Sequence, residues 1–305
     1  ISFEDVSSVL AGGQGSDGDT VIAASNTMVT LKGLSNQFQL ETSGINFEEV
    51  EVAEATDGWV EGSDDADWIE VIADKAFKAN GIIFSGISSL DTKEGDDTVV
   101  GLAGESWSLT DTNKKVLSSL ITFSNIEVVQ ADNSQLIGTD ANSEAFTIGV
   151  SADNKIQVGV NSVAFTGINS IAAGEGSGDT DTITSTLTDD TIEDHNWTLV
   201  GTNQVNHAGI VISNAETFRG GGGTLTGDSS SDDVYTIVDD TGTINVDNMY
   251  FYNLNRIETA QNNSDKLIGT SGVDEFSFNG NGELEVHGLT FKNIETVDAG
   301  SDNGV

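Results

Sequence analysis

Phe291-Lys292-Asn293-Ile294-Glu295-Thr296-Val297 is the clearest copy of a three-point apolar signature, Phe-x-x-Ile-x-x-Val, that recurs along the 305-residue chain. Eight copies start at Phe3, Phe47, Phe84, Phe123, Phe165, Ile212, Phe251 and Phe291, in steps of 44, 37, 39, 42, 47, 39 and 40 residues. The second and third points are Val6/Val9, Val50/Ala53, Ile87/Leu90, Ile126/Val129, Ile168/Ile171, Ala215/Phe218, Leu254/Ile257 and Ile294/Val297. A fixed spacing of this size marks a repeat protein. The slot before the middle point holds Asp5, Glu49, Gly86, Asn125, Gly167, Asn214, Asn253 or Asn293. Gly and Asn tolerate a left-handed backbone, so each signature is expected to contain a bend between two short strands.

The segments between signatures are of two kinds, which alternate strictly over the first six copies. After copies one, three, five and eight comes a Gly/Asp turn, as in AGGQGSDGDTV (Ala11 to Val21), TKEGDDTVV (Thr92 to Val100) and AGEGSGDTDTI (Ala173 to Ile183). After copies four and seven comes LIGT, at Leu136 and Leu267, and after copies two and six the related VEGS at Val60 and LTGD at Leu225. A second signature then runs from Gly to an acidic-aromatic step: Gly62 to Asp67-Trp68, Gly138 to Glu144-Ala145-Phe146, Gly227 to Asp233-Val234-Tyr235, and Gly269 to Asp274-Glu275-Phe276.

Between these marks apolar and polar residues alternate with period two, as in Met28-Val29-Thr30-Leu31, Trp107-Ser108-Leu109 and Leu284-Glu285-Val286, which predicts short strands. The nearest stretch to a helical pattern, Glu70 to Ala79, sits at repeat positions that argue for strand. The predicted fold is therefore all-β, a repetitive parallel β-solenoid (β-helix) built from units of about 40 residues. The array is expected to be continuous over 1–305 and cut from a longer one at both ends. Its approximate units are 1–19, 20–58, 59–97, 98–135, 136–179, 180–223, 224–265 and 266–305. With about 20 residues and ~4.8 Å of rise per coil, it would form a rod of very roughly 70 Å. Phe, Ile and Val would stack inside as ladders, with acidic side chains outside.

Composition narrows the function. Only 36% of residues are hydrophobic and 35 are Gly, which suits stacked coils better than one globule. The periodic apolar points supply the faces that a disordered acidic chain lacks. With no Cys there is no disulfide framework or thiolate metal site, and with no Pro the turns rely on Gly, Asn, Asp and Ser. Fifty Asp and Glu against 11 Lys and Arg give a net charge of −39, which repels nucleic acid and anionic membranes and attracts cations. No apolar run approaches the roughly 20 residues of a membrane span. Such self-repulsion leads to the hypothesis that the protein works in a saline exterior; a melting temperature that failed to rise with ionic strength would count against it.

The acidic turns are the candidate chemistry, because Gly-rich bends turn carbonyls inward and closely spaced Asp carboxylates supply the oxygen ligands that Ca²⁺ requires. Candidate ligands are Asp17, Asp19, Asp96, Asp97, Asp179, Asp181 and Asp302, each with a solvated hairpin turn as the alternative. GGQGSDGDT (Gly12 to Thr20) resembles the RTX nonapeptide GGxGxDxUx of secreted calcium-binding β-rolls through Gly12, Gly13, Gly15 and Asp17, with Asp19 standing where that family carries an apolar residue. No second nonapeptide occurs nine residues later, so a stacked calcium ladder is not expected.

The alternation of NIETVDAG, DTI, LIGT and DEF elements resembles the β-strand-repeat regions of giant bacterial surface and secreted proteins, RTX-type and haemagglutinin-like adhesins among them. That resemblance implies a structural or adhesive, non-enzymatic segment of a long extracellular fibre or surface appendage. Implied partners are calcium ions, neighbouring copies or other subunits of the appendage, and cell-surface glycans reached through another part of the chain. The alternative is a β-helix polysaccharide lyase or hydrolase using carboxylates on adjacent coils, with Asp179, Asp181, Asp189, Asp190 and Asp194 as the cluster to inspect. His195, His207 and His287 show no metal spacing and are expected in solvent or turns. Trp107 and Trp197 occupy strand positions that predict a core role, whereas Trp59 and Trp68 suit carbohydrate stacking if exposed.

Overall fold

The computed structural model describes residues 8–10, 19–31, 37–40, 45–110, 115–153, 155–174, 180–187, 196–220, 222–261, 264–279 and 281–300. Among these residues every regular element is a β-strand and none is a helix, so the expected all-β solenoid is what forms. Glu70 to Ala79 falls within the strands Trp68–Ala73 and Ala76–Ala79. Two compact units are present: Ile1–Leu136 with Asn161–Ile168, and Ile137–Val160 with Asn169–Val305.

Within the first unit, parallel pairing builds the apolar ladders Val29–Val60–Leu90–Phe123, Val21–Ala53–Phe84 and Ile69–Val99–Val129. Within the second it builds Phe146–Ile183–Phe218–Phe251, Trp197–Leu225–Ile257–Phe291 and Tyr235–Leu267–Val297. All of these side chains are buried except Val21 and Val297. Each buried Phe, Leu or Ile contributes about 1.5–3 kcal/mol of transfer free energy, and this repeated burial is the main force holding coil on coil.

The ladders correct the expected coil of about 20 residues. Parallel partners lie between 28 residues apart (Trp197 to Leu225) and 41 apart (Ile171 to Ile212). The signature period exceeds the usual stagger for a simple reason: the third point of one copy pairs with the first point of the next. The step from Phe47 to Phe84 is thus the six residues from Phe47 to Ala53 and then the 31 from Ala53 to Phe84. Ile212 to Phe251 decomposes in the same way through Phe218.

The additional length is spent on hairpins. Trp68–Ala73, Ala76–Ala79 and Ile82–Asp91 form an antiparallel meander in which Phe77 faces Phe84. Val116 faces Phe123, Val205 faces Ile212, Ile244 faces Phe251 and Leu284 faces Phe291 in the same manner. The connecting two-residue turns, such as Asn80-Gly81, Ser119-Leu120 and Asp247-Asn248, have φ positive at both positions. This is the type I′ geometry whose twist matches that of the strands.

The bend expected inside the signature is present. Glu49, Gly86, Asn125, Gly167, Asn214, Asn253 and Asn293 all have φ between 56° and 74°. Asn suffices where the neighbouring coil leaves room. At Gly86 a Cβ would lie 1.6 Å from the Ala55 carbonyl oxygen of the adjacent coil, so only Gly fits.

Candidate functional site: acidic columns at the coil corners

The second signature closes a corner turn. Asp67 Oδ2 accepts the Ser63 N–H at 2.8 Å, and Asp233 Oδ2 accepts that of Asp228 at 2.9 Å. Asp274 Oδ2 accepts the Thr270 N–H at 2.8 Å, and Glu144 Oε2 that of Thr139 at 3.3 Å. The carboxylate folds back over the glycine that opens the turn: a Cβ on Gly62 would lie 2.5 Å from Asp67 Oδ2. The Gly and the acid at this spacing therefore form one device, a side chain satisfying a turn donor that would otherwise be left unpaired.

These corners are stitched to the succeeding coils. The Asp67 N–H donates to Asp97 Oδ1 at 2.7 Å, and the Asp97 N–H donates to Glu127 Oε2 at 2.9 Å. In the second unit the Glu144 N–H donates to Asp181 Oδ1 at 2.7 Å and the Asp181 N–H to Glu216 Oε2 at 2.8 Å. The Asp233 N–H donates to Asp265 Oδ1 at 2.8 Å and the Asp265 N–H to Glu295 Oε2 at 2.9 Å. A two-member version joins the Asp19 N–H to Glu51 Oε2 at 2.8 Å. Main-chain bonds run beside these, from Thr98 N–H to the Asp67 carbonyl and from Val128 N–H to that of Asp97. Each of those two steps thus has a side-chain and a backbone bond.

These acids are not the exposed ones anticipated. Asp67, Asp97, Glu144, Asp181, Asp233 and Asp265 are all buried, Asp97 and Asp265 completely. Asp97 Oδ2 and Asp265 Oδ2 have no hydrogen-bond partner among the described residues. Burial pushes the carboxyls of Asp67, Asp97 and Asp233 above the ordinary carboxylate value, against the lowering effect of the N–H and hydroxyl groups they accept. Tyr235, whose hydroxyl donates to Asp233 Oδ2 at 3.1 Å, is pushed up by burial and by the neighbouring carboxylates. Asp274 differs. Burial again favours its neutral form, but bonds from His287 and Thr270 outweigh it and hold the carboxyl low.

Of the candidate calcium ligands, Asp17, Asp179 and Asp302 lie outside the described residues, as do Asp189, Asp190, Asp194 and His195. Asp96 is exposed while its neighbour Asp97 is buried in the column. Asp19 and Asp181 are column members. Among the described residues no group of three or more His, Asp or Glu side chains is placed to hold a metal ion. The chain matches no family model, no curated protein and no solved structure.

Trp107 and Trp197 are core residues as expected, with Trp107 beside Phe123 and Trp197 stacked on His207 at 3.9 Å; the indole N–H of each lacks a partner among the described residues. Trp59 and Trp68 are exposed, at 41% and 56%. His207 departs from the expected solvated histidine. It is 1% exposed, with Nε2 2.8 Å from Ser185 Oγ and Nδ1 3.1 Å from the Asn196 carbonyl, and so completes a polar contact inside the coil. His287 is a turn residue as expected, with φ 48°, and it pairs with Asp274 at 2.6 Å.

Sequence reasoning missed Glu51, Glu127, Glu216 and Glu295. Each directly succeeds the middle point of a signature, and that fixed place was the available signal.

Proposed function

We propose that this chain is a structural, adhesive segment of a long extracellular fibre or surface appendage, similar in role to the strand-repeat regions of large secreted adhesins. The observation that carries this reading is the corner column. Corner carboxylates are here spent as acceptors of backbone N–H groups from adjoining coils, in three columns of one design, and Asp181, a member of the cluster a lyase or hydrolase would use, is one of them. Acceptors of this kind, with the Asp members buried, fix the register between coils, as a load-carrying stack requires.

The remaining acids, such as Asp64, Asp65, Glu94 and Asp96, are not buried in the columns and keep the surface strongly anionic. Lateral packing against neighbouring copies then calls for charge neutralisation, and calcium is the proposed counter-ion. Antibodies raised against this fragment test the proposal on intact, unpermeabilised cells. Labelling along surface appendages is expected. Labelling confined to permeabilised cells, or turnover of an acidic polysaccharide by the purified fragment, would overturn it.

A further inference from the structure

We propose that the Asp233–Asp265 step of the column is a proton-binding site that tightens the coil stack as the medium acidifies. Both carboxyl groups are buried, Asp233 at 3% exposure and Asp265 at 0%. The backbone N–H of Asp233 donates to Asp265 Oδ1, and Asp265 Oδ2 has no hydrogen-bond partner among the described residues. Asp233 itself receives the Asp228 N–H and the Tyr235 hydroxyl on Oδ2 and the Ser231 hydroxyl on Oδ1.

Among the described residues, the charged and titratable groups around the pair are all acidic. They are Asp228 in the corner turn, Asp232, which accepts the Ser264 N–H at 2.8 Å, Tyr235 on the strand Val234–Ile237, Asp247 in the next hairpin turn, and Glu295 in the succeeding coil, which accepts the Asp265 N–H. The nearest cation in sequence, Lys266, reaches outward to Asp298 at 2.8 Å. Among the described residues no ion pair involves Asp233 or Asp265.

Two ionised carboxylates enclosed without a cation repel each other, and one proton taken from solvent removes that repulsion. A neutral Asp233 carboxyl also costs far less to bury than a charged one. Burial holds the Asp233 acid up, in keeping with such a site. A group that binds its proton more tightly in the folded chain contributes stability that grows as the pH falls toward its unfolded value.

Thermal unfolding of the whole chain from pH 8 to pH 5, at constant ionic strength and without divalent ions, tests this on wild type, Asp265→Asn and Asp240→Asn. Asp240 is exposed, so its variant controls for the loss of one negative charge. Asp265→Asn is expected to raise Tm at pH 7 more than Asp240→Asn does, and to reduce the gain in Tm that wild type shows on acidification. An effect no larger than that of Asp240→Asn with an unchanged pH slope, or a lower Tm at every pH, would overturn the proposal. Infrared difference spectra supply a readout that does not depend on stability. Wild type should retain a carboxylic-acid C=O band above the ordinary carboxylate range that is weaker in Asp265→Asn, and equal bands in the two would contradict the site. Calcium that raised Tm of wild type at pH 7 but not of Asp265→Asn would overturn it too, assigning the orphan oxygen to a cation instead.

Discussion

Glu127 Oε2 accepts the backbone N–H of Asp97 at 2.9 Å, joining residues 30 apart in sequence at the corner where one coil passes over the next. The bond gives a role to an acidic side chain that composition alone would place in solvent. Glu127→Ala removes the acceptor and leaves a buried N–H unpaired, at an expected cost of about 1–3 kcal/mol. Glu127→Gln keeps an amide oxygen and should recover most of that loss. Urea unfolding of the two variants checks the difference, and equal losses would show that the bond carries no weight.

Gly86 and Asn253 occupy the same slot of the signature with φ of 70° and 56°. Gly86→Asn places a Cβ on the Ala55 carbonyl oxygen and is expected to destabilise by more than about 2 kcal/mol. Asn253→Gly retains the left-handed bend and should change stability by less than about 1 kcal/mol. The asymmetry is read from unfolding midpoints under matched conditions.

Two sets of carboxyls give stability a maximum in pH. Asp67, Asp97 and Asp233 are raised from the ordinary 3.8 by burial, so their contribution increases as the pH falls through their folded values toward 3.8. Relief of the −39 net charge acts in the same direction. Glu258 is held low by Lys292, and Asp274 by His287 and Thr270 against the effect of burial. Their contributions are present above the ordinary 4.5 and 3.8 and are lost as the pH falls through the folded values. Tm should therefore rise from pH 8 toward about 5 and fall again below about 4. A monotonic fall from pH 8 would contradict the assignment.

Trp107 fills the core beside Phe123, but its indole N–H has no partner among the described residues. In Trp107→Phe the lost volume is offset by removal of that orphan donor, itself a burden of about 1–3 kcal/mol. The net cost should be below about 1.5 kcal/mol. Gly101→Ala, whose Cβ would lie 2.4 Å from the Trp107 ring, should cost more. Chemical denaturation ranks the two.

The signature made the apolar ladders legible because Phe, Ile and Val points at a regular spacing have one physical use. The Asn and Gly slot was legible because few other residues accept its backbone conformation. Coil length was not. Period-two alternation marks a strand but does not say whether it pairs in parallel with the next coil or doubles back through a turn such as Ser119-Leu120, which carries no glycine. The acceptor roles of Glu51, Glu127, Glu216 and Glu295 were hidden among 50 acidic residues, because each partner lies some 30 residues away in sequence. The burial of Asp97 beside an exposed Asp96 is set in the turn just before the strand Thr98–Ala103, and the doublet Asp-Asp does not say which of the two faces inward.

Amide hydrogen exchange reads the corner columns directly. If coils are stitched by carboxylates, the N–H groups of Asp67, Asp97, Glu144, Asp181, Asp233 and Asp265 exchange as slowly as amides of the adjoining strands, although they stand in turn segments outside those strands. Exchange of these six at the rate of exposed loops, beside protected strands, would mean that the coils stack on their apolar ladders alone.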